Sequence, residues 1–134
     1  MKIKFLIIVL SLIVVKTITA QSQISLLDTV KVKDYLTLSE DQYKIINPMI
    51  EQIKGILEED KKIIAEIKQR VENDDEPGFF EKIGVKRGRD SRKGDIEDLI
   101  EEIEDQLNDQ QKIKFKNIEK HELKSLEKKE IFGE

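Results

Sequence analysis

The chain has 134 residues, no cysteine and a formal net charge of −4 at neutral pH. The absence of cysteine excludes a disulfide framework and thiol chemistry, and the acidic balance weighs against nucleic acid as a partner. A leader and one small domain fit this length, so stability must come from helix packing or from association between copies.

Taken in chain order, residues 1–20 read as a secretory signal peptide. Lys2 and Lys4 form its basic start, residues 5–15 are apolar apart from Ser11, and residues 16–20 end on Ala20 as the cleavage position. The apolar run is too short for a membrane span, and no cysteine follows it that could carry a lipid; the alternative is an uncleaved N-terminal anchor. Cleavage after Ala20 leaves a mature chain of residues 21–134. It loses Lys2, Lys4 and Lys16, so its charge falls three units below the −4 of the full chain.

Residues 24–36 are apolar and β-branched, which fits a short first helix or an extended lead-in. A long helix is expected over residues 40–73. Ile46, Ile50, Ile53, Leu57, Ile64, Ile67 and Val71 recur at alternating steps of four and three, and Asp60 alone breaks the seam. Met49, Ile56 and Ile63 widen the apolar face, so it should need more than one neighbour or a second subunit. Pro48 removes one hydrogen bond inside this helix and should kink it. Acids and Pro77-Gly78 then stop it. Residues 78–94 carry Lys82, Lys86, Arg87, Arg89, Arg92 and Lys93 among glycines, and read as a mobile basic loop with one helical turn near Phe79. A third helix is expected over residues 96–106 with Asp95 as its cap, from the spacing of Ile96, Leu99, Ile100 and Ile103. A fourth is expected over residues 108–130, followed by a frayed tail at 131–134.

Two of these helix starts share a signal. Leu38-Ser39-Glu40-Asp41-Gln42 and Leu107-Asn108-Asp109-Gln110-Gln111 each place an N-cap residue three positions before a glutamine. The Ser39 or Asn108 side chain can accept from the first turn, and Gln42 or Gln111 can reach back to the cap, giving a capping box. Leu38 can staple onto Tyr43; the second copy has Lys112 at that place and a poorer staple. The doublet resembles the LTXXQ motif of the Spy/CpxP family of small exported helical stress proteins, and the resemblance spans roughly residues 32–126. Neither copy has the family's threonine: serine keeps its hydroxyl, and asparagine keeps only the capping role.

The resemblance implies an all-α fold of the helical-hairpin type, with one long kinked helix and two shorter C-terminal helices, paired as a thin curved homodimer. It also implies periplasmic localisation and ATP-independent chaperoning of partly folded envelope proteins, without a cofactor. Some relatives instead restrain the periplasmic domain of a stress-sensing kinase, and a structural helical interaction protein is a further alternative. Candidate client contacts are Phe79, Phe80, Lys86, Arg87, Arg89 and Arg92; Leu38, Ser39, Gln42, Leu107, Asn108 and Gln111 are assigned to architecture.

Other chemistry finds little support in the sequence. The single histidine, His121, falls on the expected fourth helix and reads as solvent-facing. There is no Gly-x-Ser-x-Gly elbow and no phosphate-loop ending. The carboxylate runs, such as Glu58-Glu59-Asp60, read as solvated faces without the spacing of a cation loop. No catalytic, cofactor or metal residue is therefore assigned. The basic segment suits a charge-balancing loop or contact with an acidic partner surface, with nucleic acid the least favoured reading.

Overall fold

A computed structural model describes residues 23–133; the expected signal peptide and its cleavage position lie outside them. Five helices form among the described residues: α1 (Thr29–Leu36), α2 (Glu40–Glu72), α3 (Phe79–Asp105), α4 (Asp109–Phe115) and α5 (Lys128–Phe132). The all-α class follows from the sequence periodicity. No helix among the described residues is long and apolar enough to cross a membrane.

The helix α2 runs through Pro48 without a break. Its seam residues Ile46, Ile50 and Ile53 are buried in one apolar cluster with Ile96, Ile100, Ile103, Leu107 and Phe115. Farther along, Ile64 and Ile67 belong to a second, smaller cluster with Ile131 and Phe132. The helices α2 and α3 thus form a long antiparallel hairpin, with α1 and α4 against its upper end and the C-terminal segment against its lower end. Within the chain, more than one neighbour covers this seam: the first cluster buries Ile46, Ile50 and Ile53, and the second buries Ile64 and Ile67.

The hairpin turn is closed by local chemistry. Asp74 adopts a left-handed φ of 58°, the Asp75 N–H donates to the Arg70 carbonyl, and the Asp74 N–H donates to Val71. These are the two bonds of a Schellman closure. Arg70 then bridges the turn, with Nε donating to Asp75 at 2.8 Å and its Nη1 to Glu81 on α3. The guanidinium holds the Glu81 carboxyl below its ordinary range.

Three expectations for the C-terminal half are corrected. Residues 78–94 are not a loop: α3 starts at Phe79 and continues to Asp105, absorbing the helix expected at 96–106 with its Asp95 cap. Each interior glycine costs a helix roughly 1 kcal/mol, and packing on α2 offsets that here. The residues that pack are Val85, Arg89, Arg92, Ile96, Leu99 and Ile103, which continue the four-three spacing backwards with arginine at two apolar places. The expected helix at 108–130 is also short. It ends at Phe115, Glu119 forms an isolated parallel bridge with Ser25, residues 120–127 have no regular structure, and α5 follows. Lys120 stops α4 by donating from Nζ to the Phe115 and Ile118 carbonyls at 2.6 and 3.1 Å. The tail is not frayed through Ile131 and Phe132, because both are buried.

The two motif copies meet. Each forms its capping box: Gln42 Oε1 accepts from the Ser39 N–H and Gln111 Oε1 from the Asn108 N–H, both at 3.0 Å. The two glutamines also bond each other reciprocally, Gln42 Nε2 to Gln111 Oε1 at 2.8 Å and Gln111 Nε2 to Gln42 Oε1 at 3.1 Å. Each amide then reaches the chain entering the other motif: Gln42 Nε2 donates to the Gln106 carbonyl at 2.8 Å, and Gln111 Nε2 to Leu36 and Thr37 at 3.2 and 3.4 Å. The result is an approximately two-fold polar knot between the starts of α2 and α4, backed by buried Leu38 and Leu107. Thr37, at its edge, is β-branched and yet sits at φ 53°.

Two outcomes are expected in urea unfolding of the mature chain. Gln111→Ala, which strips partners from a buried amide network, should destabilise by about 1–3 kcal/mol, and a cycle with Gln42→Ala should return a coupling energy of about 0.5–1.5 kcal/mol. Additive single effects would mean that the knot is two independent caps. Thr37→Gly should stabilise by about 0.5–1 kcal/mol by relieving the left-handed strain, seen as a raised denaturation midpoint.

Candidate functional site

The six candidate contact residues lie on α3, and the fold divides them. Phe79 and Phe80 sit on its first turn, 66 % and 84 % exposed, with rings edge to face at 5.5 Å. Gly78, the N-cap, supplies no side-chain bond, so the helix opens on two uncovered aromatics. Lys86 and Arg87 are exposed two turns on. Neither forms an ion pair among the described residues. These four remain available to a partner.

Arg89 and Arg92, expected beside them as contacts, instead turn inward onto Asp60. Asp60, the acid that breaks the α2 seam, is only 3 % exposed. Arg89 Nη1 pairs with its Oδ2, and Arg92 Nε with its Oδ1 at 3.1 Å. Asp60 therefore does not belong to a solvated acidic face. The spare donors of Arg89 reach the Lys124 carbonyl, Nη2 at 2.9 Å and Nε at 3.3 Å, while Arg92 Nη2 is buried with no partner among the described residues. Gly88 leaves room for this arrangement: a Cβ there would stand 3.2 Å from Arg92 Nη1. The signal for this layer was present in the sequence as one acid at a seam position of α2 and two arginines at seam positions of α3.

Beside the exposed patch runs a groove of about 860 Å³. One wall is the first three turns of α3, with Phe79, Ile83, Lys86 and Arg87; the other is the C-terminal segment, with Leu126, Lys128, Ile131 and Phe132. Its floor is apolar and its rim mostly basic, with Asp90 and Glu127 as the acids. This second wall escaped the sequence reading, because the expected fourth helix would have carried it elsewhere.

The motif residues stay away from this groove. Leu38, Ser39, Gln42, Leu107, Asn108 and Gln111 all lie in the polar knot or under it, at the opposite end of the hairpin. His121 is not helical. It has a φ of 53°, and its Nε2 lies 2.7 Å from Ser25 Oγ. The Glu119 carboxylate approaches the same nitrogen at 3.6 Å. A nucleophilic relay needs the acid on the other ring nitrogen, so this trio ties the N-terminal lead-in to residues 119–121 and is not arranged as a triad. Among the described residues, no three His, Cys, Asp or Glu side chains converge as a metal site would require.

Removing the carboxylate at Asp60 leaves two guanidinium groups with no counter-charge. Asp60→Ala should destabilise by about 3–5 kcal/mol, whereas the combined Asp60→Leu, Arg89→Leu, Arg92→Leu variant should recover most or all of that loss. Equal loss in both, by urea unfolding, would show that the layer acts through shape and not through charge.

Comparison of the chain with protein-family models, with curated proteins and with solved structures found no match.

Proposed function

We propose that the mature chain is an ATP-independent chaperone of the cell envelope, which captures partly folded proteins on the α3 surface around Phe79, Phe80, Lys86 and Arg87. The observation that carries this reading is the pairing of two exposed aromatics on an uncapped helix start with two cations that form no ion pair among the described residues and with a mostly apolar groove. Large apolar side chains rarely stand in such company on a surface without a partner. The motif doublet and the leader-like first twenty residues support the same reading from the sequence.

The mechanism is contact capture. Lys86 and Arg87 attract acidic surface over roughly 10 Å at about 0.1 M ionic strength, and farther at lower salt. Phe79 and Phe80 then bury against apolar groups that a native protein would hide. Each phenylalanine contributes at most about 1.5–3 kcal/mol, so the two together support a complex of modest affinity that dissociates readily. Such exchange lets a client fold between or during encounters.

Purified protein of residues 21–134, without nucleotide, should suppress light scattering by an unrelated aggregating protein at near-stoichiometric amounts. The double variant Phe79→Ala/Phe80→Ala should need about tenfold more protein for the same suppression, with unchanged helical content by circular dichroism. No suppression by the wild type at large excess, against an inert helical protein of matching charge, would overturn the proposal.

A further inference from the structure

After α4 the chain runs back along the hairpin as a strap of residues 116–133, tied firmly in its first part by buried Ile118 and by the Ser25–His121 bond, and by fewer contacts from Lys124 onward. At its start, the Glu119 N–H donates to the Ile24 carbonyl and the Leu26 N–H to the Glu119 carbonyl, each at 2.8 Å. In its middle, Arg89 donates to the Lys124 carbonyl. At its end, Ile131 and Phe132 are buried against Ile64 and Ile67, with Val85 and Leu126 alongside. No backbone–backbone hydrogen bond joins residues 120–133 to α2 or α3 among the described residues. Ile118 is buried in the larger cluster and Leu123 packs against it, whereas Ser125 and residues 127–130 are exposed.

We infer that residues 126–132 are a tethered place-holder, which covers the lower apolar stripe of the hairpin and gives it up to an apolar segment of a captured protein. The inference rests on the capture reading above. A five-residue helix is far below the length that is stable alone in water, so α5 is helical because its docking holds it. Ile131 and Phe132 belong at once to the stripe and to the groove wall, so their departure joins the covered stripe to the exposed patch. Beneath them lie Ile64, Ile67 and Val85, with Lys82 Nζ 5.2 Å from the centre of the Phe132 ring.

That geometry describes the occupant. It is a non-native protein segment with adjacent large aliphatic and aromatic side chains, the aromatic ring lying under an ammonium group. The tether keeps the place-holder at an effective concentration in the millimolar range. Only a segment raised to a similar local concentration displaces it, as when its own chain is already held by Phe79 and Phe80. Native proteins, which present no such segment, leave the strap closed.

Native-state hydrogen exchange on the mature chain tests the opening directly. The amides of 131–133 should exchange about tenfold or more faster than those around Ile53, through a sub-global opening. Two sets of variants then test the role. Ile131→Ala/Phe132→Ala should lower the amount of protein needed for half-suppression of aggregation, and should bind a synthetic peptide of residues 122–134 that the wild type binds weakly. Val71→Cys/Gly133→Cys can lock the strap, since Val71 Cγ1 lies 3.8 Å from a Cβ built at Gly133 and the chain has no other cysteine; Gly133 sits at φ 72°, so the new side chain is strained there, and the comparison is made between oxidised and reduced forms of one variant, which share that strain. The oxidised form should capture less client than the same protein after reduction. Exchange of 131–133 only with global unfolding, or equal capture by locked and reduced forms, would overturn the inference. If no form captures client, the capture reading itself has failed, and exchange with peptide binding still decides whether the strap opens.

Discussion

Asp60 is buried in the second half of α2, and two arginines of α3 converge on it. Burying three charges in this way is expensive in desolvation, and apolar residues of similar size would often be as stable. What the layer supplies is position. The apolar seams of α2 and α3 repeat with a four-three spacing, so a slip of seven residues would still place apolar groups opposite apolar groups. Only one register sets Asp60 against Arg89 and Arg92. That register separates the two apolar clusters, brings Arg70 to Glu81 across the turn, and leaves one guanidinium to hold the strap at Lys124.

The polar knot at the opposite end does comparable work for the short helices. An isolated seven-residue helix such as α4 has little stability of its own. Here its first turn is satisfied by Asn108 and Gln111, and Gln111 also bonds Gln42 and the chain leaving α1. The capping residues are therefore tertiary contacts as well as local ones. A network whose members are all satisfied rigidifies its surroundings, and this one fixes how α1, α2 and α4 meet. The α3 start with Phe79 and Phe80 lies away from it, at the other end of the hairpin.

The molecule thus has a well-tied end and a loosely tied end. Near the knot, helices are capped reciprocally and the larger apolar cluster is covered on several sides. Near the turn, α3 begins without a side-chain cap, two aromatics face solvent, and the lower cluster is closed by residues 126–132, which make no backbone–backbone hydrogen bond to the hairpin among the described residues. Local openings are expected where buried apolar contacts are few and the backbone is exposed. The proposed capture surface and its place-holder both lie at that end, so their motion does not disturb the knot.

The all-α class, α2 to within a residue and both capping boxes were legible in the sequence, because these features depend on residues within one or two turns of each other. The periodicity from Ile46 to Val71 and the cap-to-glutamine spacing of three are local signals. What happens at 78–94 was not legible locally, since four glycines and clustered cations favour a loop until Asp60, some thirty residues away, makes Arg89 and Arg92 into core residues. The same distance effect divided the candidate contacts, leaving Phe79, Phe80, Lys86 and Arg87 outside while two arginines went in. It also decided the end of the chain. Residues 116–133 lack the apolar spacing of a long helix, and their path depends on Arg89, Ile64 and Ile67, which no local pattern could reveal. Short-range hydrogen bonding chose the helices; long-range burial of charge and apolar surface chose which of their faces remain open.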